Sequence, residues 1–568
     1  MTIHKMKTIT FQDTDYETWK EVALASLKGQ PFDQLITKTI EGIDLQPLYT
    51  EADLLKQADG VLAQSISAIR NSKIETGWII AQQQYAEDGK AFLVELKNSI
   101  DKGNGAIVYD GSVALNWEQD TLAEIALLLP KYPVFIKNIS ADDAILEVFN
   151  LVPTDLRAAV QGAVSALNWS KPKGYVNVRA VCADSWTVHH KGADAVTELA
   201  LTLAQAAENA SSYKSFDEFA KDFYVRFAID TNFFLEIAKI RAFRVLWHSF
   251  SSAYNVEKQI PVLVHAETSL RSYSKLDSYV NLLRAGNETF SAVLGGADVV
   301  TVHPHDVLTG TTTASRRLAR NIQIVLKEET HTGKVIDPSA GSYYIETLTA
   351  ELVEKAWKLF LEIDASGGYL KYVAGPLEKR LEELTVVRQD EVAKGKKSLI
   401  GTNVYANLDE TLLPDVKDLH IEGRFAEQFE KSRVLFSTSQ PKTTLLTFGE
   451  LKDYKIRADF ASGFLATGGI WTIESPAFQN VQDALNWLAT EKPDYAIVCA
   501  SPEFIDEAMD ELLLGMPSEI AIDVAGKFDE KRSKDWIEKG LSGFIFSGQN
   551  RVEKFLEINE KWKGAEEK

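Results

Sequence analysis

Eight short runs rich in valine, isoleucine and aromatic residues recur between residues 77 and 338, each followed by a segment with helical spacing. They are GWIIAQ, GAIVYD, YPVFIKN, YVNVRAV, YVRFAID, PVLVHAE, DVVTVHP and GKVIDP. Strands that alternate with helices build a parallel sheet, because each return to the sheet needs a crossover. Eight such units over roughly 300 residues predict a (β/α)8 barrel, with an open doubly wound sheet as the competing architecture. The helical spacing is clearest at 231–247, where Phe233, Ile237 and Ile240 share a face, and in SRRLARNIQIVLKEET, where Leu318, Ile322 and Val325 do. ELVEKAWKLFLEID runs towards Gly367 and Gly368, a C-cap signal.

The flanks differ. Residues 1–72 show no alternation; Tyr16–Leu27 and Leu54–Asn71 have helical character, and the segment reads as an arm or cap. The barrel is expected over 73–384. Residues 385–440, containing VAKGKKSLIGTNVYANLDETLLPDV, are polar and weakly periodic, as in a linker draped over the surface. Alternation resumes with TTLLTF, GIWTI, DYAIVCA, EIAIDVAG and SGFIFSG. These five strands predict a flavodoxin-like α/β domain over 441–568.

A formal net charge of −20 over 568 residues disfavours nonspecific nucleic-acid binding. Two cysteines, Cys182 and Cys499, exclude a disulfide scaffold and a cysteine-rich metal site. MTIHKMKTITFQDTDYETW lacks the apolar run of a signal peptide, and no stretch approaches the ~18 apolar residues of a membrane span. The expectation is a cytoplasmic protein with neither membrane nor nucleic acid as partner.

In a β/α barrel the chemistry sits at the C-terminal strand ends. Those ends carry Asp110, Asn138, Asp184, Ser185, Trp186, Asp230, Glu267, His303, His305 and Asp337. Helix N-caps and turns use the same residue types, so each has a purely structural reading beside the functional one. His303 and His305 share a strand-face spacing and could converge, whereas the adjacent His189 and His190 point apart on regular structure. No H-E-x-x-H pattern accompanies them, so no metal is expected. In the smaller domain, LLTFGELKDYKIRADFASGFLATGG (445–469) reads as strand, loop, helix and turn, with Glu450–Arg457 as a bulky charged loop and Gly449 at the strand end. A phosphate loop would need glycines and free N–H groups there.

Several segments carry a resemblance. GIDLQPLYT (42–50), NFFLEIAKIRAFRVLW (232–247), ASRRLARNIQIVLKEET (314–330) and VIDPSAGSYYIETLTAELVEKAW (335–357) resemble methylmalonyl-CoA mutase, an adenosylcobalamin-dependent isomerase. The similarity extends from about residue 30 to the C-terminus. It implies a substrate barrel, a linker and a C-terminal cobalamin-binding-type domain. Catalytic members carry Asp-x-His-x-x-Gly after the first strand of that domain: the histidine ligates cobalt, the aspartate orients it, and the glycine lets the corrin approach. Laid without gaps on this chain, those positions hold Lys452, Tyr454 and Arg457. The loop for the nucleotide tail falls near Ala500, Ser501 and Pro502, and a Gly-Gly pair near Ala525 and Gly526; Ser501 and Gly526 are vestigial.

The barrel departs as well. The family's Tyr-His pair, whose histidine binds the thioester carbonyl, falls on Trp186 and Thr187 when counted back from Gly192. The Arg-Gln-Tyr near the first strand is replaced around Ala81, Gln82 and Gln83, with Tyr85 two residues late. No counterpart of the carboxylate-gripping Thr-Ile-Gln-Asn segment and its following arginine is present, the interval between the third and fourth runs reading as short. The chain thus resembles the small subunit of a heterodimeric methylmalonyl-CoA mutase. That implies a large catalytic partner holding adenosylcobalamin and acyl-CoA, and no catalytic, cofactor or metal residues here. The alternatives are an independent cobalamin-dependent acyl-CoA mutase with altered contacts, and a chaperone-like partner of the large chain.

Overall fold

The computed structural model describes residues 14–57, 60–256, 259–415, 421 and 423–566. Nine parallel strands form two sheets in its larger part. One is ordered β1 (Ile79–Ile80), β9 (Val299–Thr301), β8 (Leu263–Thr268), β7 (Phe223–Ile229), β6 (Val181–Asp184); the other β2 (Ile107–Asp110), β3 (Val134–Ser140), β4 (Gln161–Leu167), β5 (Asn177–Arg179). Only Ala180 separates β5 from β6, and its N–H donates to Asp222 O at 3.0 Å. On the other side Gly105 N–H donates to Ile80 O at 2.8 Å, and Gln83 bridges to Val108 in parallel. These parallel sheets are consistent with a TIM-like barrel.

The eight expected runs are not the observed set. GKVIDP is not a strand: Thr332–Lys334 forms a 3-10 turn, Val335 is exposed, and Asp337 is buried against Arg241 and not in a sheet. QGAVSAL, absent from the sequence expectation, is β4. Its small residues carry little β-propensity. Gly162 explains why: a Cβ there would meet Val134 O at 1.9 Å, so β3 and β4 approach closely only with glycine. The interval between the third and fourth runs therefore holds a strand.

β7 is buried along its whole length, as expected of a parallel strand covered on both faces. Outside it, Trp247 of the helix Phe233–Ser252 stacks on Phe223 at 5.0 Å. The helices Thr313–Glu329 and Tyr343–Ala365 lie where the spacing places them, the latter followed by Gly367 at φ +110°. The expected helix Leu54–Asn71 is broken into Glu51–Gln57 and Leu62–Ser72, and residues 58–59 between them lie outside the described residues. Tyr16–Ser26 is helical with no buried side chain.

The described residues of 385–440 are not all draped over the surface. They carry the end of the helix Pro376–Ala393 and the helix Glu427–Leu435, and bury Leu399, Phe425, Phe429 and Phe436. Phe425 packs under Arg271 of the larger part, its N–H donating to Arg271 O at 2.9 Å.

All five C-terminal strands form: β10 (Thr443–Thr447), β11 (Thr472–Glu474), β12 (Tyr495–Cys499), β13 (Ala521–Ala525) and β14 (Gly543–Ile545). Their parallel order, β11-β10-β12-β13-β14, is the 2-1-3-4-5 order of a Rossmann-like doubly wound sheet. Among the described residues no helix is long and apolar enough to cross a membrane.

Candidate functional site

Charged side chains converge at the C-terminal ends of the barrel-type strands. Glu267, fully buried, accepts from Lys137 Nζ at 2.5 Å; Arg226 Nη1 lies 3.5 Å away and His303 Nε2 3.5 Å. Arg226 also forms a two-pronged pair with Asp184, and Lys137 stands 3.4 Å from Asp110. Burial alone would raise the Glu267 carboxyl, but Lys137 and Arg226 hold it well below the carboxylate range. Tyr85 OH lies 2.7 Å from His303 Nδ1. With the hydroxyl donating, Nε2–H faces Glu267 and the imidazole is neutral, in line with burial lowering its pKa.

Trp186 covers this layer. Its ring lies 5.5 Å from Lys137 Nζ and 5.7 Å from the Arg226 guanidinium, with His303 at 5.4 Å and His190 at 4.3 Å. Both contacts are cation–π in kind. Thr187, the next residue, is exposed. Trp186 thus lies over the two cations while Thr187 turns outward.

A second buried network stands beside it. His189 links Glu198 (Nδ1–Oε1, 2.8 Å) to Ser269 (Nε2–Oγ, 2.8 Å), while Lys239 holds Glu198 and Glu236 at 3.2 and 2.7 Å. Ser269, His189 and Glu198 have the connectivity of a nucleophile, base and orienting acid, but all three are buried, and no opening reaches the serine among the described residues. Burial pushes His189 down to about 4. Asp230 anchors Arg271 (2.7 Å), which donates to the carbonyls of His189 and Ala193.

Other candidates separate. His303 and His305 do not converge: His303 faces Glu267, and His305 stacks on Tyr279 at 4.9 Å. Asp337 is not at a strand end; it pairs with Arg241 on the outer helix Phe233–Ser252. Ser185 donates to Glu198 at 2.9 Å, and Asn138, at φ +57°, donates to Asp110. Among the described residues no group of three histidine, cysteine or acidic side chains could hold a metal.

Below the charged layer the axis is packed. Val108, Phe135, Tyr224, Leu263 and Val299 cluster there, and His265 lies against Phe135 at 5.2 Å. A cavity of about 710 Å³ opens beneath them, at the N-terminal strand ends, lined by Ile80, Gly105, Pro133 and Arg179 among others. Lys137, Arg226 and His265 were missed by strand-end reasoning because they lie inside the strands. Their signal was a charged residue at alternate, inward positions of an otherwise apolar run: 135 and 137, 224 and 226, 263, 265 and 267.

In the smaller domain the expected loop Glu450–Arg457 is helix. Leu451–Gly468 starts directly after the strand, through a reciprocal cap between Glu450 and Asp453. Gly449 makes the turn at φ +87°, where a Cβ would lie 2.8 Å from Asp453 Oδ2. Lys452 points to solvent and pairs with Glu450 at 3.5 Å. Tyr454 is buried with Leu445, Phe464, Cys499 and Ala525, between helix and sheet. Arg457 lies along the strand ends, its Nε 4.0 Å from where a Gly526 Cβ would stand. Ser501 caps the helix Pro502–Gly515 by accepting from Phe504 N–H, and Gly526 pairs with Ile545 O at 2.9 Å.

Against known proteins, residues 150–452 match the family described as methylmalonyl-CoA mutase. The methylmalonyl-CoA mutase small subunit of Porphyromonas gingivalis is 29% identical, over 97% of this chain and 98% of the relative. A probable methylmalonyl-CoA mutase small subunit of Mycobacterium tuberculosis H37Rv is 34% identical over 60% of this chain and 58% of its own length. The small subunit from Streptomyces virginiae is 26% identical, over 90% and 92%. With the family match covering more than half of its length, the chain belongs to the methylmalonyl-CoA mutase family.

Proposed function

We propose that this chain is the non-catalytic small subunit of a two-chain methylmalonyl-CoA mutase. In this reading a large subunit interconverts (R)-methylmalonyl-CoA and succinyl-CoA, and this chain assembles with it in the cytoplasm. The observation that carries the proposal is the closed mouth: Trp186 over Lys137, Glu267 and Arg226, above a packed axis. A thioester entering there would displace a fully paired charged layer. Removing such charges from their partners costs several kcal/mol.

The mutase family is generally cobalamin-dependent, and the residues of this chain do not fit that cofactor. Where a cobalt-ligating imidazole belongs, Tyr454 is packed between helix and sheet. The helix begins where a corrin would need an open loop. The cofactor therefore belongs to the partner subunit, and no catalytic step is assigned to Trp186, Thr187, Lys452, Tyr454 or Arg457. Domain limits of 1–72 (arm), 73–384 (closed eight-stranded barrel, with β5 and β6 as one strand), 385–440 (connector) and 441–568 (cobalamin-type domain without its site) go with this reading. The names of the relatives support the partnership.

Co-expression with a large mutase subunit, followed by mass measurement of the purified species, tests it. A one-to-one complex is expected, and the isolated chain, mixed with adenosylcobalamin and desalted, should retain no corrin absorbance. A retained corrin band, or no association at micromolar concentration, overturns the proposal.

A further inference from the structure

A recess of about 510 Å³ lies between the helices Gly89–Ile100 and Thr313–Glu329, with Gln82 and Tyr85 at its inner edge. Its cationic residues are Lys102, Arg316, Arg317 and Arg320; its acidic ones are Glu87, Asp88 and Glu95. Two of these acids are engaged within the fold. Glu95 pairs with Arg316 Nε, which also ties Arg316 to the Thr311–Thr313 turn, and Asp88 caps its own helix at Ala91 N–H.

Arg317 and Arg320 remain. They stand three apart, so they share a helix face, and like charges at this spacing repel. Arg317 indeed lowers the proton affinity of Arg320, after the larger effect of burial. Arg320 is 5% exposed and spends Nη1 on Gln82 Oε1 at 2.5 Å, while its buried Nε has no acceptor. Among the described residues Arg317 forms no ion pair. Glu95 offsets part of the Arg320 charge but is itself held by Arg316, so with Arg317 unpaired the two neighbouring guanidiniums leave positive charge on the recess wall. A guanidinium fork matches the geometry of phosphate oxygens, and the N-terminal end of the 17-residue helix, at Thr313 on the recess wall, favours an anion further.

We propose that this recess binds a small phosphate-bearing molecule, with Arg317 and Arg320 gripping the phosphate and Lys102 adding charge at the rim. A concave recess of this volume suits a small ligand better than an extended acidic peptide. Tyr85, whose hydroxyl meets His303, lines the inner edge of this recess, which therefore adjoins the charged layer; the proposal rests on the recess's own arginines and not on the small-subunit reading.

Titration calorimetry of the full chain at fixed ionic strength, with inorganic pyrophosphate as probe, tests it. Saturable binding is expected, weakened roughly tenfold or more in Arg317→Ala and in Arg320→Gln, and unchanged in Arg532→Ala on the C-terminal domain. Arg317 is exposed, so its variant keeps the test valid if Arg320→Gln fails to fold. Absence of saturable heat, equal affinity in Arg317→Ala, or binding of a hexaglutamate peptide that pyrophosphate cannot displace overturns the assignment.

Discussion

Replacing Glu267 by glutamine removes the one carboxylate that Lys137, Arg226 and His303 share. The side chain is fully buried, with Lys137 at 2.5 Å and Arg226 at 3.5 Å. Breaking a buried ion pair by deleting one partner costs about 3–5 kcal/mol, because the surviving charge is left uncompensated. Here the survivors keep some compensation: Asp184 stays on Arg226, and Asp110 stays 3.4 Å from Lys137. The expected loss is therefore at the low end, about 3 kcal/mol. Urea unfolding of the full chain, followed by tryptophan fluorescence, measures it. Lys97→Ala, which breaks a half-exposed pair with Glu124, serves as the comparison and should change stability by about 0.5 kcal/mol or less. A loss below about 1 kcal/mol for Glu267→Gln would refute the view that a paired charge layer holds the mouth closed. The same variant separates structure from chemistry. Turnover per assembled complex should be unchanged, and a collapse of turnover with assembly intact would place Glu267 in the reaction.

Three further outcomes are expected. Burial lowers His265 from 6.5 to about 3. The unfolded chain therefore binds the proton first as pH falls through 6.5, and stability drops by about 1.4 kcal/mol per pH unit until the folded value is reached. Glu236, raised to about 7 by burial, acts with the opposite sign over part of that window, so the measurement is a difference: His265→Asn should flatten the stability slope between pH 6 and 4 by about one proton, and an unchanged slope sinks the argument. Gly449→Ala puts a Cβ 2.8 Å from Asp453 Oδ2 at φ +87° and should cost about 1–3 kcal/mol in the C-terminal domain; thermal unfolding of the full chain checks it, and a neutral result would mean that the turn relaxes. The triple variant Lys452→Asp, Tyr454→His, Arg457→Gly should still retain no corrin absorbance after desalting, because the helix starts at Leu451 and packs on the sheet whichever of these side chains it carries.

Legibility in the sequence followed the strength of local signals. The five C-terminal strands were readable because each is a short β-branched run bounded by turn residues. β4 was not, since Gly162, Ala163 and Ser165 read as loop while close approach to Val134 requires the glycine. GKVIDP failed in the opposite way: two β-branched residues looked like a strand, but Asp337 is drawn to Arg241 on an outer helix. The charged segment after β10 was taken for a loop because its helical face is small. Over its first three turns the inward positions are Tyr454, Ala458 and Ala461, two of them alanines, and the larger Phe464 and Leu465 come only later. At the mouth, strand ends pointed to Asp110, Asp184 and Glu267, yet their cationic partners came from inside the strands, where pairing across the axis depends on register that no local pattern encodes.

In the proposed small-subunit reading, the two sites depart from the mutase pattern by different physical routes. In the barrel, the space above the axis holds charge, and charge alone would attract an anionic substrate. In the proposed reading Lys137 and Arg226 do not act that way, because Glu267, Asp184 and Asp110 offset their positive charge and Trp186 lies over both cations. In the C-terminal domain the space is removed. A reciprocal cap at Glu450 and Asp453 converts a loop into the first turns of a helix, and Tyr454 fills the gap between that helix and the sheet. A single substitution that opened either place would leave the other closed. Recovering a ligand in the barrel would need the charge pairs unmade, whereas recovering one in the smaller domain would need the helix to start later. The second change requires loss of the cap as well as of Tyr454, which is why side-chain replacement at 452, 454 and 457 alone is expected not to rebuild it.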